Sequence, residues 1–206
     1  MFEWIDHIYL KNPIQFEDRY KQVKAELDRV GIQAERFSLN QTSNDPKERD
    51  KFATDDFFAC IQDAKDKGYK NCLILEDDIC FNDNHLHLME NVKYFIKFME
   101  YDLFYLGGTF TERPENYADH IVRIKGMWTL QSIIVNSTAY DKVLALRHPD
   151  NFGDDTIKNK IQPDGKCYAV VPRITHQKQG YSYLQNRDVN YDNWMRDGDT
   201  WEYKPL

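Results

Sequence analysis

The chain is predicted to be an α/β protein with a mostly parallel central sheet, flanking helices and a small additional β element. Three observations predict this. An apolar strand, an amphipathic helix and a second strand follow one another within the first forty residues, the βαβ succession that implies a parallel pair and a right-handed crossover. In the stretch Asn71 to Phe81, the apolar run Cys72-Leu73-Ile74-Leu75 leads straight into Glu76-Asp77-Asp78, and apolar residues resume at once. An apolar run of this length bounded by polar residues reads as a strand covered on both faces. Finally, short strands and helical periods continue to alternate as far as about residue 171.

Ile5 to Leu10 is the first strand, closed by Lys11-Asn12-Pro13, since proline removes a ladder donor. Phe16, Tyr20, Val23 and Leu27 recur at helical spacing over Phe16 to Val30, and Gly31 is a natural C-terminal stop. Ile32 to Leu39 is a weaker strand, and Asn40 to Arg49 a polar loop. Phe52 to Lys67 is helical through Phe57, Cys60, Ile61 and Ala64, ending at Gly68. After the acids, Asn82-Asp83-Asn84 caps a helix running to about Met99 on Leu86, Met89, Val92, Phe95 and Ile96.

Leu103 to Leu106 is a short strand ending in Gly107-Gly108. Paired glycines there permit close backbone approach to a ligand, and a plain turn explains them as well. Thr111 to His120 reads as a loop, Ile121 to Ile124 and Thr129 to Val135 as strands, with an Asn136 or Ser137 cap and a helix to about Leu146. Asp154-Asp155 opens a short helix through Lys160, and Cys167 to Val171 is the last strand. The remainder is polar and aromatic without clear period. No repeat, low-complexity segment or linker interrupts the 206 residues, so one domain is expected.

Composition narrows the function classes. Aromatic residues at 14% exclude a disordered chain, and a net charge of −7 disfavours a nucleic-acid reader, which relies on clustered Lys and Arg. Cys60, Cys72, Cys80 and Cys167 show neither CxxC pairing nor zinc-finger spacing, so free, mostly buried thiols in a reducing compartment are expected. No run approaches a transmembrane length, and the first strand begins too early to leave room for a signal peptide. A soluble, cytoplasmic protein is the expectation.

Three adjacent acids cannot be core, because unpaired buried charge costs several kcal/mol or more. They belong at the C-terminal edge of the strand, where open α/β sheets bind ligands. Alternation in a strand puts Glu76 and Asp78 on one side and Asp77 on the other. Hard divalent cations such as Mg²⁺ and Mn²⁺ prefer carboxylates and keep positions open for phosphate oxygens. Asp78 is thus the first choice as metal ligand and Glu76 its same-face helper. An acidic surface turn is the alternative.

The Ile-Leu-Glu-Asp-Asp strand end resembles the acidic motif of glycosyltransferase family 25, within the nucleotide-sugar-dependent GT-A fold. His7-Ile8-Tyr9-Leu10 with Arg19 resembles the family's opening strand and arginine-bearing helix. Asp102 to Gly108 resembles the following strand and glycine pair, and Gly126 to Leu146 a segment ending in a serine-capped helix. Pro172 to Ser182, with His176, Gln177, Gly180, Tyr181 and Ser182, is similar to the closing pattern. The likeness spans most of Asp6 to Tyr183, although the Gly-Cys and Ser-His pairs usual in the helix before the acids are not intact.

The resemblance implies a single Rossmann-like GT-A domain, its nucleotide-binding half about residues 1–110 and its acceptor-side half about 111–206. It implies an inverting, metal-dependent transfer of a sugar from a UDP-sugar to a glycan or glycoprotein, with Mn²⁺ or Mg²⁺ as cofactor. Asp78, Glu76 and His176 are the implied metal ligands. Leu10, Asn12, Arg19, Glu76, Asp77, Gly107 and Gly108, with Lys11, are the implied donor contacts. Asp154 or Asp155 is the implied general base. Trp128, Tyr181, Tyr183, Trp194 and Trp201 are candidates to stack on a base or sugar. Signal-less members of this kind are cytoplasmic, and large DNA viruses encode some that decorate capsid proteins in the host cytoplasm. Two rivals stand beside this reading: a catalytically inactive nucleotide-sugar-binding domain, and a Mg²⁺-dependent phosphohydrolase or nuclease, which needs a second ligand cluster.

Overall fold

The computed structural model describes residues 2–148, 153–183 and 187–190. The first βαβ unit is β1 (His7–Lys11), α1 (Glu17–Arg29) and β2 (Glu35–Phe37), and β2 pairs parallel to β1, with Tyr9 opposite Glu35 and Lys11 opposite Phe37. Val30 caps α1, and Gly31 follows at φ 71°, the left-handed conformation that favours glycine. α2 (Pro46–Asp66) starts ahead of the expected Phe52. Asp45 accepts a hydrogen bond from the Lys47 amide, and Pro46 occupies the first turn, where its missing N–H costs nothing.

β3 (Asn71–Glu76) is buried along its apolar length and pairs parallel to β1, from His7 opposite Cys72 to Lys11 opposite Glu76. The strand ends at Glu76. Asp77 and Asp78 form a turn, and β4 (Ile79–Phe81) leaves the sheet altogether. Alternation therefore does not extend through the acids, and the same-side placement of Glu76 and Asp78 cannot be read from it. A 3₁₀ segment, Asp83–Leu88, capped by the Asn82 side chain, precedes α3 (Met89–Phe98).

The chain continues through β5 (Leu103–Tyr105), β6 (Thr109–Phe110), β7 (Glu115–Ala118), β8 (Ile121–Arg123), β9 (Met127–Trp128) and β10 (Ser132–Asn136). α4 (Ser137–Leu144) is capped by Asn136, whose side chain accepts from the Thr138 amide. α5 (Gly153–Lys160), β11 (Cys167–Val170), β12 (Thr175–Gln177), β13 (Gly180–Ser182) and β14 (Arg187–Val189) complete the described elements.

The eight-stranded sheet has the order β2-β1-β3-β10-β5-β11-β8-β7. It is mixed: β1–β2, β1–β3 and β5–β11 are parallel, whereas β10 lies antiparallel between β3 and β5, and β8 pairs antiparallel with β11 and β7. The cause is the path between β5 and β10. Between them the chain forms β7 and β8 at the far edge of the sheet and the small β6–β9 ribbon, and it then re-enters beside the C-terminal end of β5, so β10 runs backwards.

Alternate strand residues supply two cores. Leu10, Leu73, Leu75, Phe104 and Ile134 pack with Val23 and Leu27 of α1 and Val92 and Phe95 of α3. On the other face Tyr9, Ile74, Tyr105 and Ile133 pack with Phe57, Phe58 and Ile61 of α2 and Val143 of α4. Each fully buried side chain of this kind contributes about 1.5–3 kcal/mol. β4 and β12 form a separate antiparallel ribbon that folds across the sheet edge above the acids. All four cysteines are free, with Cys60, Cys72 and Cys167 buried. Among the described residues no helix is long and apolar enough to cross a membrane.

Candidate active site

The last rung of the β1–β3 ladder sets one carboxylate against one ammonium. Lys11 and Glu76 are opposite residues, and Lys11 Nζ lies 3.0 Å from Glu76 Oε1 with only 8% of Lys11 exposed. Burial alone lowers an ammonium pKa; the Glu76 carboxylate overcomes it, and the net shift of Lys11 is upward. Next in the turn, Asp77 accepts from Asn12 Nδ2 at 2.5 Å and from the Arg19 guanidinium. The Arg19 pKa rises because its bond to Asp77 outweighs burial.

Asp78 is less well served. Arg19 Nη2 is 3.5 Å from its Oδ2, and its Oδ1 is buried without a hydrogen-bond partner. Burial first and the nearby Glu76 charge second push the Asp78 carboxyl up to about 7. Its backbone carbonyl accepts from the Lys178 amide at 2.7 Å, which ties the acidic turn to the end of β12.

A cleft of about 140 Å³ opens over this edge. Lys11, Arg19 and Arg49 bring three cations to it, Phe16, Phe52 and Tyr183 bring aromatic surface, and Glu76, Asp77 and Asp78 form its floor. The Phe16 and Tyr183 rings sit 4.5 Å apart between centroids. Arg49 donates to the Tyr183 carbonyl, and Arg19 Nη1 donates to the Tyr181 carbonyl at 3.3 Å, so the same cations that line the cleft hold its C-terminal strap.

The two acids at the start of α5 separate. Asp155 is exposed, accepts from Trp128 Nε1 at 3.3 Å and lies 3.8 Å from Lys158, whose ammonium sits over the Trp128 ring. It is engaged on the surface, and its charge reaches Asp50 on α2. Asp154 accepts from the Thr129 amide at 3.2 Å. Burial, then the Glu76 charge, push its carboxyl up to about 7, with Lys11 and the Thr129 amide opposing. Thr129 holds φ at 80°, a region a β-branched residue rarely occupies, and such strain concentrates at functional sites.

Several expected residues do other work. Leu10 is 1% exposed in the core, and its neighbour Lys11 is the residue that reaches the cleft. Asn12 is buried and holds Asp77. Gly107 and Gly108 make close approaches to protein: a Cβ on Gly107 would lie 2.1 Å from the Thr175 carbonyl oxygen, and one on Gly108 2.7 Å from that of Trp128. His176 does not join Glu76 and Asp78, because β12 alternates. Gln177 turns its amide to Glu76 Oε2 at 3.3 Å, while His176 comes within electrostatic reach of Glu26 on α1. Trp194 and Trp201 lie outside the described residues.

Sequence reasoning missed Asp50, Arg49 and Gln131. The Asp45-Pro46 start signal places the first two on α2, and Gln131 precedes a β10 whose register could not be read. Among the described residues no three His, Cys, Asp or Glu side chains cluster as a ready-made metal site. The residues nevertheless fit a divalent cation of the Mg²⁺ or Mn²⁺ kind, which commonly takes one or two carboxylates and completes its shell with water and phosphate. The partnerless Asp78 Oδ1 beside Glu76 is the observation that supports the fit.

No family model matches the chain, and no curated protein does. Among solved structures, the chain is similar to a glycosyltransferase involved in the glycosylation of the major capsid of PBCV-1. That pair shares 14% identity over 87% of this chain and 95% of the other, with a TM-score of 0.50. It is also similar to A197 from STIV, at 12% identity over 88% and 91% of the two chains and a TM-score of 0.44. The first likeness shows the fold: a GT-A-like α/β arrangement with a mixed central sheet, flanking helices and small hairpins.

Proposed function

We propose that the chain is a metal-dependent glycosyltransferase that moves a sugar from a nucleoside-diphosphate sugar, a UDP-sugar in the first instance, to a hydroxyl of a glycan or glycoprotein. The observation that carries this reading is the cleft at the C-terminal edge of β1 and β3. It joins three cations to an aromatic wall over a carboxylate floor. Cations suit a diphosphate, aromatic rings suit a base, and the carboxylates suit the metal that accompanies the phosphates.

Asp78 and Glu76 would hold the cation, which when bound supplies Lewis-acid neutralisation of the diphosphate. Lys11, Arg19 and Arg49 face the same ligand. In a single displacement the acceptor oxygen forms a bond to the anomeric carbon on the face opposite the leaving group. The bond from that carbon to the β-phosphate oxygen breaks, its electron pair leaves with the nucleoside diphosphate, and the hydroxyl proton passes to Asp154. Inversion follows from one displacement, and no covalent enzyme intermediate is needed.

The test is release of UDP from a panel of UDP-sugars with Mn²⁺ and glycan acceptors, comparing the native chain with Asp78→Asn and Asp154→Asn. Acceptor-dependent release that both substitutions abolish is the expected result. Binding of UDP without turnover identifies an inactive binding domain, and cleavage of simple phosphate esters without nucleotide preference refutes the reading.

A further inference from the structure

The backbone at Gln177 is held against the acidic turn from two sides. Gln177 pairs with Ile79, the residue after Asp78, across the β4–β12 ribbon. The amide of the next residue, Lys178, donates to the Asp78 carbonyl at 2.7 Å. The other end of β12 is fixed as well, by the Ile174 and Thr175 amides, which donate to the Leu106 carbonyl at 2.8 and 3.2 Å. Gln177 therefore keeps its place relative to Asp78, and its side chain lines the same cleft as Glu76 and Asp78.

The amide at its tip meets both acids. Glu76 accepts from Lys11 Nζ on one oxygen, at 3.0 Å, and from Gln177 Nε2 on the other, at 3.3 Å. A hydrogen bond from the same side chain opposes the rise in the Asp78 pKa, yet Asp78 Oδ1 stays buried without a partner. A donor shared by two carboxylates occupies a position that positive charge favours. The amide also carries an acceptor on the same carbon, and a half-turn about its last torsion exchanges Oε1 for Nε2.

Charge decides what a third ligand can be. Glu76, Asp77 and Asp78 already put three carboxylates on the cleft floor, and a fourth would meet their repulsion. A neutral carbonyl oxygen adds a ligand without adding charge, and Mg²⁺ and Mn²⁺ accept carbonyl oxygens beside carboxylates and water. Three protein oxygens would leave about half of an octahedral shell for phosphate oxygens and water.

We propose that Gln177 is the third protein ligand of the cation, its amide turning over so that Oε1 joins Glu76 and Asp78 around the ion. This rests on the metal-dependent reading above. A glutamine serves in two ways here, as the donor that steadies Glu76 and as a neutral oxygen for the ion. Glutamate keeps only the oxygen, and methionine keeps neither.

The experiment is titration of Mn²⁺ in the presence of UDP into the native chain, Gln177→Met and Gln177→Glu, read by electron paramagnetic resonance of the free ion. Gln177→Met is expected to bind Mn²⁺ about tenfold more weakly, and Gln177→Glu at least as tightly as the native chain. Spin-echo spectra of Mn²⁺ bound to Gln177→His should show the nitrogen coupling of a directly bound imidazole, which the native chain should lack. Affinity of Gln177→Met within about twofold of native overturns the proposal, as does a Gln177→Glu as weak as Gln177→Met. Mn²⁺ bound to Gln177→His without nitrogen coupling overturns it too, and leaves Gln177 as the donor that steadies Glu76. Should Gln177→Met fail to fold, the other two variants still decide. Failure of the native chain to bind Mn²⁺, with or without UDP, overturns the metal-dependent reading itself.

Discussion

Lys11 and Glu76 face each other at the last rung of the β1–β3 ladder and close a 3.0 Å ion pair at the mouth of the cleft. The pair couples fold to function, since the ammonium that balances the acidic floor also faces the proposed diphosphate. Lys11→Met leaves Glu76 without its buried counter-charge. The expected loss is about 2–3 kcal/mol, below the figure for a fully buried pair because Glu76 is partly exposed. Urea unfolding checks it. The double substitution Lys11→Met with Glu76→Gln should recover at least half of that loss while UDP binding stays weakened, which separates the stability role from the ligand role.

Acidity should govern turnover through Asp154. Its folded-state carboxyl stands near 7 against 3.8 for an ordinary aspartate, so the folded protein binds more protons than the unfolded chain between those values. Stability from this group is therefore highest below about pH 4 and declines as pH rises to about 7. A general base works only when deprotonated, so turnover should climb through the same upper limit. Asp154→Asn should flatten the decline in melting temperature over this window. A decline as steep as the native one would remove Asp154 from the account.

Much of this site was legible because strand ends and helix caps are written locally. Glu76-Asp77-Asp78 follow an apolar strand, and charge placed there must sit at a sheet edge. What was not legible depends on register and direction. His176 and Gln177 are adjacent in a three-residue strand, and only the pairing of β12 with β4 decides which one turns to Glu76. The antiparallel course of β10 follows from an excursion whose length says nothing about its direction of return, so Gln131 gave no signal. Asp50 was missed for a different reason: the polar first turns of α2 carry no apolar period, and Asp45-Pro46 alone marks where the helix begins.

Asp78 should decide metal binding. Its unpartnered Oδ1 is the free acceptor on the cleft floor, whereas both oxygens of Asp77 are already engaged, by Asn12 and Arg19. Asp78→Asn is expected to weaken Mn²⁺ binding in the presence of UDP by more than about tenfold, read by electron paramagnetic resonance of the free ion. Asp77→Asn should instead reduce stability, because Arg19 loses its strongest partner, with a smaller effect on Mn²⁺. The opposite ranking would exchange the roles of the two aspartates.

Gly107 should be intolerant of any side chain for reasons of packing. A Cβ there would fall 2.1 Å from the Thr175 carbonyl oxygen, and that oxygen belongs to a backbone held by the Ile174 and Thr175 amides, which donate to Leu106 at 2.8 and 3.2 Å. Gly107→Ala therefore has to push β12 away from the sheet, at a cost of about 2–4 kcal/mol from steric strain and weakened hydrogen bonds. Gly68 is the control: it holds φ at 71° with nothing within 4 Å of where a Cβ would sit, so Gly68→Ala meets only the backbone penalty of about 1 kcal/mol. The two should also differ in activity. Displacing β12 carries Gln177 away from Glu76 and loosens the Lys178 amide from Asp78, so Gly107→Ala should lose UDP affinity at temperatures where it is still folded. Gly68→Ala should keep native affinity up to its slightly lower melting point.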